Sequence, residues 1–252
     1  MQFDVISSGS KGNATIVYSN GKALLLDFGI SKKRISDALI GYGLSFDSLS
    51  GFFITHTHSD HASNCFNAPL EKLYCSACLL PKCSKPISNL NILIPFETKH
   101  VDGFDITSLP VSHDCKNTMA FVVSDGQESL VYLTDTGFVP EKDFPYLKDK
   151  SYYIFESNHD PKMLYESKRP DYLIRRIISD TGHLSNTDSA YYLSNLIGNQ
   201  TKEVVLAHLS DECNTPELAR ITYESVMQTQ LGYLPDVLLK IASDAKETKG
   251  GD

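Results

Sequence analysis

A chain of 252 residues with 41% hydrophobic and 21% charged residues is long enough to bury a large core, and it shows no low-complexity tract or internal repeat; disordered and fibrous classes are excluded. The net charge of −8 weighs against a binder that relies on overall basic charge, although clusters at Lys32-Lys33-Arg34, Lys82 with Lys85, Lys168-Arg169 and Arg175-Arg176 leave room for a phosphate-bearing partner. No apolar stretch approaches the length of a membrane span and residues 1–10 lack a leader pattern, so no membrane association and a cytoplasmic location are expected.

In chain order, short strands are expected over Phe3 to Ser7, Ala14 to Tyr18 and Ala23 to Asp27, joined by turns rich in Gly, Ser and Asn. Ser31 can cap a helix to Leu39 or Ile40, ended by Gly41 and Gly43, and a buried strand from Phe52 follows. Further strands are expected near Ile92 to Ile94, Phe104 to Leu109, Phe121 to Ser124, Leu130 to Leu133 and Tyr152 to Phe155. The second half is richer in helix. One helix starts at Ser185 or Asn186 and ends at Gly198, and another starts at Thr215 with Pro216 in its first turn. Strands at Val204 to Ala207 and Val237 to Ile241 interleave with them. Residues 1–244 are expected to form one domain, and residues 245–252 a loose tail. These patterns specify a mixed α and β chain and no more. The cysteines, Cys65, Cys75, Cys78, Cys83, Cys115 and Cys213, read as reduced thiols, and Cys75, Cys78 and Cys83 offer three sulfurs where a closed zinc site needs four.

The stretch THTHSDH, directly after the apolar Gly51-Phe52-Phe53-Ile54, places His56, His58, Asp60 and His61 within six residues. Packing gives no reason to crowd three imidazoles together, whereas imidazole and carboxylate are what a divalent ion requires. Side chains two apart share a face while Asp60 and His61 point elsewhere, so one ion cannot collect all four without strain and two ions are expected. Each needs more ligands, and three residues stand where strands end: His113, Asp135 and His208.

This ordered series, THTHSDH then His113, Asp135 and His208, resembles the ligand motifs of the metallo-β-lactamase superfamily. The loop Ser8-Gly9-Ser10-Lys11-Gly12-Asn13, the segment carrying Asp27 and Gly29, and the ESNHD and GHLSN stretches further resemble its bacterial YycJ/WalJ-type nucleases. The resemblance implies an α+β fold, a four-layer αββα sandwich with a dinuclear metal site at one edge. It also implies that His56, His58 and His113 hold one ion, that Asp60, His61 and His208 hold the other, and that Asp135 bridges them. Zn²⁺ is the expected metal, with Mn²⁺ or Fe²⁺ compatible with the same donors. Asp27 would steady the metal loop by accepting hydrogen bonds, with a turn cap as the competing role.

Such a pair of ions lowers the pKa of a shared water and clamps a charged transition state, so hydrolysis would need no protein nucleophile. No GxSxG elbow or Walker-type loop offers another route. Asp60 and His183 are the expected catalytic groups, with His183 protonating the leaving oxygen; its competing role is that of a helix-entry residue. Ser10, Asn13, Asn158, His159 and His183 are candidate substrate contacts. The resemblance implies a phosphodiesterase acting on DNA as an exonuclease. A hydrolase of small esters, thioesters or lactams, or a non-catalytic metal-binding module, would use the same fold.

Overall fold

The computed structural model describes residues 1–82 and 90–251; Cys83 and Lys85 lie outside the described residues. The first half of the chain runs β1 (Gln2–Ser7), β2 (Ala14–Ser19), β3 (Lys22–Leu26), α1 (Lys32–Ile40), β4 (Gly51–Phe53), α2 (Ser59–Ala62), β5 (Leu73–Cys75) and β6 (Asn91–Ile92). Then come β7 (Thr98–Val101), β8 (Phe104–Pro110), β9 (Met119–Ser124), β10 (Ser129–Leu133), α3 (Phe144–Leu147) and β11 (Tyr152–Glu156). The remainder is α4 (Pro161–Glu166), α5 (Asp171–Ile177), α6 (Asn186–Leu196), β12 (Glu203–Ala207), α7 (Pro216–Leu231), β13 (Leu238–Ile241) and β14 (Thr248–Gly250).

These strands form two seven-stranded sheets, ordered β14-β1-β2-β3-β4-β5-β6 and β13-β12-β11-β10-β9-β8-β7. Each sheet is antiparallel at one end and parallel at the other. Neighbours β3, β4, β5 and β6 run parallel in the first sheet, as do β10, β11, β12 and β13 in the second.

Alternation along single strands explains the layers. Leu24 and Leu26 of β3 enter the core between the sheets with Phe3, Val5, Phe53, Phe121, Tyr132 and Ile154. Leu25, one step out of phase, packs on the opposite face with Phe52, Ile35 and Leu39 under α1. Likewise Val205 faces inward, whereas Val204 and Leu206 pack outward against Leu193, Leu196, Ala219, Tyr223 and Met227 of α6 and α7. Strands buried on both faces read as continuous apolar runs, as seen in Leu24-Leu25-Leu26 and Val204-Val205-Leu206. Helix, sheet, sheet, helix is the result, the αββα sandwich of an α+β fold.

The caps follow the expected chemistry. Ser185 Oγ accepts from Asp188 N at 3.1 Å, Thr215 Oγ1 accepts from Leu218 N at 3.1 Å ahead of Pro216, and Gly232 ends α7 at φ 80°. The expectation of a loose tail from residue 245 is corrected: Thr248–Gly250 pair antiparallel with Phe3, Asp4 and Val5, and Gly251 N donates to Glu203 Oε2 at 3.2 Å. Backbone hydrogen bonds to an open sheet edge hold this strand, and these are indifferent to its polar side chains.

Candidate metal centre

Asp27, His56, Asp135 and His208 follow the C-terminal ends of β3, β4, β10 and β12, and Glu156 is the last residue of β11. β3 and β4 run parallel, as do β10, β11 and β12. His113 joins the same edge because β8 is antiparallel to β9, which is antiparallel to β10. Asp27, Asp135 and His208 adopt left-handed φ values of 60°, 57° and 57°. Non-glycine residues pay for that conformation, and here it turns the chain sharply as each strand ends. Gly29 lets two loops interlock: a Cβ there would lie 1.6 Å from the Asp60 carbonyl oxygen. That same oxygen accepts from Asn13 N at 2.7 Å, and Phe28 N donates to the His61 carbonyl at 2.7 Å.

Four donor sets result among the described residues, each with its atoms within 4.8 Å of one another: His56, His58 and His113; Asp60, His61 and His208; His56, His61 and Asp135 across the two; and Asp135, Glu156, His183 and His208 beside them. His58 Nδ1 lies 3.4 Å from His113 Nε2, while His61 Nε2 lies 3.0 Å from Asp135 Oδ2 and 3.5 Å from Asp60 Oδ2. Asp135 Oδ1 is 3.6 Å from His208 Nε2 and 3.9 Å from His113 Nε2.

The other ring nitrogens are tied down. His61 Nδ1 pairs with Asp27 Oδ2 at 2.7 Å, His208 Nδ1 with Glu156 Oε1 at 3.0 Å, and His113 Nδ1 with the Gly182 carbonyl at 3.2 Å. A proton held at each Nδ1 leaves the Nε2 lone pair facing the centre. Asp27 also accepts from Thr55 N and Thr55 Oγ1, both at 2.9 Å, and from Tyr132 Oη at 3.0 Å, so it joins the metal loop to the facing sheet. His56 Nε2 and His208 Nε2 are buried with no hydrogen-bond partner, and Asp135 Oδ2 has only its 3.0 Å ion-pair contact with His61 Nε2. Unpartnered buried lone pairs converging in one place are costly in a protein with nothing to bind, and their chemistry fits a divalent cation.

Burial pushes the imidazoles of His56 and His113 down from their ordinary pKa. Burial acts the same way on His61 and His208, but carboxylates overcome it: Asp135 and Asp27 hold His61 well above its ordinary value. Asp135, Asp60 and Glu156 hold His208 up at about 10. Against the burial that opposes ionisation, His208 and His61 keep Asp135 well below the usual carboxylate range, and His183 and His208 bring Glu156 down to about 2. The acids at this edge are therefore held ionised by the neighbouring imidazoles, whose positive charge a bound cation would replace.

A cleft of about 240 Å³ opens beside the donors and is lined by Ser10, Asn158, His183, Arg169 and Arg176 among others. Asn13 and His159, expected to face it, do not line it. Asn13 is buried, accepting from Gly9 N at 2.9 Å, with its amide nitrogen 2.9 Å from His61 Nε2, so it clasps the N-terminal loop beneath the donors. His159 is buried beside the bridge it makes with Ser185, and burial pushes it down to about 4. Asn158 lines the cleft while its amide donates to the His208 carbonyl at 2.8 Å, fixing that left-handed turn.

Glu156 was not among the expected site residues. It accepts from His183 Nδ1 at 2.8 Å and from His208, and its other oxygen accepts from Thr136 N at 3.0 Å and Leu184 N at 3.2 Å. Its sequence signals are an acid closing the apolar run Tyr152-Tyr153-Ile154-Phe155 and its place at the head of the ESNHD stretch, where Asn158 and His159 take the expected roles instead. Among the basic clusters, Arg34 is structural, donating to the carbonyls of Ile6 and Asp244, whereas Arg169 and Arg176 reach the cleft.

The family model described as "Beta-lactamase superfamily domain" matches residues 42–209, and that of the anti-Pycsar protein Apyc1 matches residues 6–77. Exodeoxyribonuclease YycJ of Bacillus anthracis is 32% identical over 237 residues, covering 90% of this chain and 89% of its own. Exodeoxyribonuclease WalJ of Streptococcus pneumoniae is 32% identical over 243 residues, covering 92% and 90%. The metallo-β-lactamase fold protein YhfI from Bacillus subtilis shares the fold with a TM-score of 0.72 over 99% of both chains at 17% identity. On the family match, the full-length relatives and the donor sets at the sheet edge, the chain belongs to the metallo-β-lactamase superfamily, as a metal-dependent hydrolase related to the YycJ and WalJ exodeoxyribonucleases.

Proposed function

We propose that this protein is a dinuclear metal-dependent phosphodiesterase that degrades DNA as an exonuclease. The observation that carries the reading is the convergence of the buried, partnerless His56 Nε2 and His208 Nε2 with the His61–Asp135 pair beside a cleft lined by two arginines. His56, His58 and His113 would hold one ion and Asp60, His61 and His208 the other, with Asp135 between them. Two bound ions supply Lewis acidity and an activated water.

The chain's own residues do the rest. Asp27 and Glu156 hold the Nδ1 protons of His61 and His208 and so orient their lone pairs. His183 stands at the cleft with Nδ1 fixed on Glu156, which directs Nε2 to deliver a proton to the departing oxygen.

Purified protein supplied with Zn²⁺ or Mn²⁺ is expected to hydrolyse labelled duplex, single-stranded DNA or bis(p-nitrophenyl) phosphate, and Asp60→Ala to lose that activity. Turnover of nitrocefin or a thioester with no phosphodiester hydrolysis would overturn the reading.

A further inference from the structure

The net charge of −8 leaves open how an acidic protein would hold a polyanion. The cleft supplies a local answer. The segment from Arg169 through α5 forms one wall, and Leu173, Arg176 and Ile177 line it together because positions i, i+3 and i+4 share a helix face. Two guanidinium groups thus flank an aliphatic strip beside the donors.

Each guanidinium is held by a carboxylate at the protein surface. Arg176 Nε donates to Asp114 Oδ2, and Arg169 Nε donates to Glu212 Oε2 at 3.0 Å with Nη2 3.4 Å from Ser210 Oγ. Both pairs are partly exposed, so each contributes little to stability. Both guanidinium groups line the cleft, and because each meets its carboxylate through Nε alone, a phosphate can compete for the remaining N–H donors with more charge.

The lining also states what is not recognised. Among its lining residues there is no Phe, Tyr or Trp, so a base would find only imidazoles and guanidinium planes to stack on, and those same groups face the phosphates. Its volume of about 240 Å³ is under the roughly 300–1,000 Å³ of pockets that enclose a drug-sized ligand. A cleft of this size takes a phosphate more readily than a whole nucleotide.

We propose that Arg169 and Arg176 are the specificity-determining residues of this cleft and that they take the sugar–phosphate backbone of a nucleic-acid strand, gripping phosphates that flank the one at the donor sets and ignoring the bases. This rests on the phosphodiesterase reading and extends it: degradation is independent of sequence and of base identity. The two carboxylates hold the arginines in place until a strand arrives.

The test compares Arg169→Ala, Arg176→Ala and the two Arg→Lys variants with Arg175→Ala, an exposed neighbour on α5 that does not line the cleft. On oligonucleotides, each cleft Ala variant is expected to lower kcat/KM by about tenfold or more, mainly through KM, and to reduce the slope of log(kcat/KM) against log[KCl] by about one. Arg→Lys restores the salt slope and only part of the KM, since a point charge replaces a fork. An oligonucleotide with abasic terminal residues is cleaved by the wild type within about threefold of its normal counterpart, as backbone readout requires.

Cleft variants that match Arg175→Ala in both KM and salt slope would overturn the proposal, as would loss of more than about tenfold on the abasic strand. A wild-type protein inactive on every phosphodiester, bis(p-nitrophenyl) phosphate included, would end the nuclease reading itself. DNA turnover that is indifferent to both arginines ends only this inference.

Discussion

Glu156 is wholly buried and serves four donors, His183 and His208 through Oε1 and the Thr136 and Leu184 amides through Oε2. Glutamine would keep the volume but remove the charge and set an NH₂ group against one of these donors. Glu156→Gln is therefore expected to fold, to lower kcat by about 10- to 100-fold and to weaken metal retention by a similar factor, measured by steady-state kinetics and by metal-to-protein ratio after dialysis. Unchanged values would show that the imidazoles orient without it. The different visibility of Glu156 and His56 in the sequence has a physical basis. Three imidazoles crowded into THTHSDH have no packing explanation, whereas the acid that opens the ESNHD stretch gets no role of its own from the chain until the fold brings His183 and His208 to it. Asn13 and His159 mislead in the opposite direction: their polar loops suggest solvent, but docking of Gly29 against Asp60 and pairing of His159 with Ser185 bury them.

At the scale of elements, interlocked loops and sheet edges carry the consequences. Gly29→Ala places a methyl group into the Asp60 carbonyl, with rigid backbone on both sides. It is expected to cost about 2–4 kcal/mol in urea unfolding and to release metal, since Asp60 and His61 move with that loop. On the opposite edge, β14 sets Lys249 opposite Asp4, with Nζ 3.8 Å from Oδ2, while both Asp4 oxygens are buried without a hydrogen-bond partner. Burial, assisted by Glu247 and opposed by Lys249, pushes Asp4 up to about 6. Because the folded value lies above the unfolded one, the folded state binds more protons between about pH 4 and 6. Stability therefore falls as pH rises through that window and remains low above it. Asp4→Asn is expected to gain about 1–2 kcal/mol at pH 8 and nothing at pH 4, read from urea midpoints across pH; an equal effect at both would refute the assignment. Elements with their own periodicity or caps, such as α7 from Thr215 to Gly232, can be read from sequence. Those defined by partners are not: β5, β6 and β14 are short, and α4 and α5 are brief turns started by prolines.

Over the whole molecule, composition and periodicity reach only a mixed α and β chain, because runs such as Leu24-Leu25-Leu26 show that a strand is buried on both faces without showing what it pairs with. The layered order came with the resemblance carried by the donor series. That series spans positions 56 to 208, so the donors meet only when both sheets are formed and packed. An ion held by them binds the folded state alone and stabilises it by mass action, about 4 kcal/mol at a thousandfold excess over Kd. A chain of this size shifts its midpoint by about 2–4 °C per kcal/mol, so removing metal with a chelator is expected to lower Tm by about 8–16 °C and re-adding Zn²⁺ to restore it. Ionised Asp60, Asp135 and Glu156 repel one another when the cation leaves, which adds to the loss. In His56→Ala and His208→Ala, which remove one donor from each of the two proposed ions in turn, the metal-dependent shift is expected to shrink by at least half. Scanning calorimetry with and without chelator decides it: a Tm indifferent to metal in the wild type would mean that the two halves of the donor series do not share their cations.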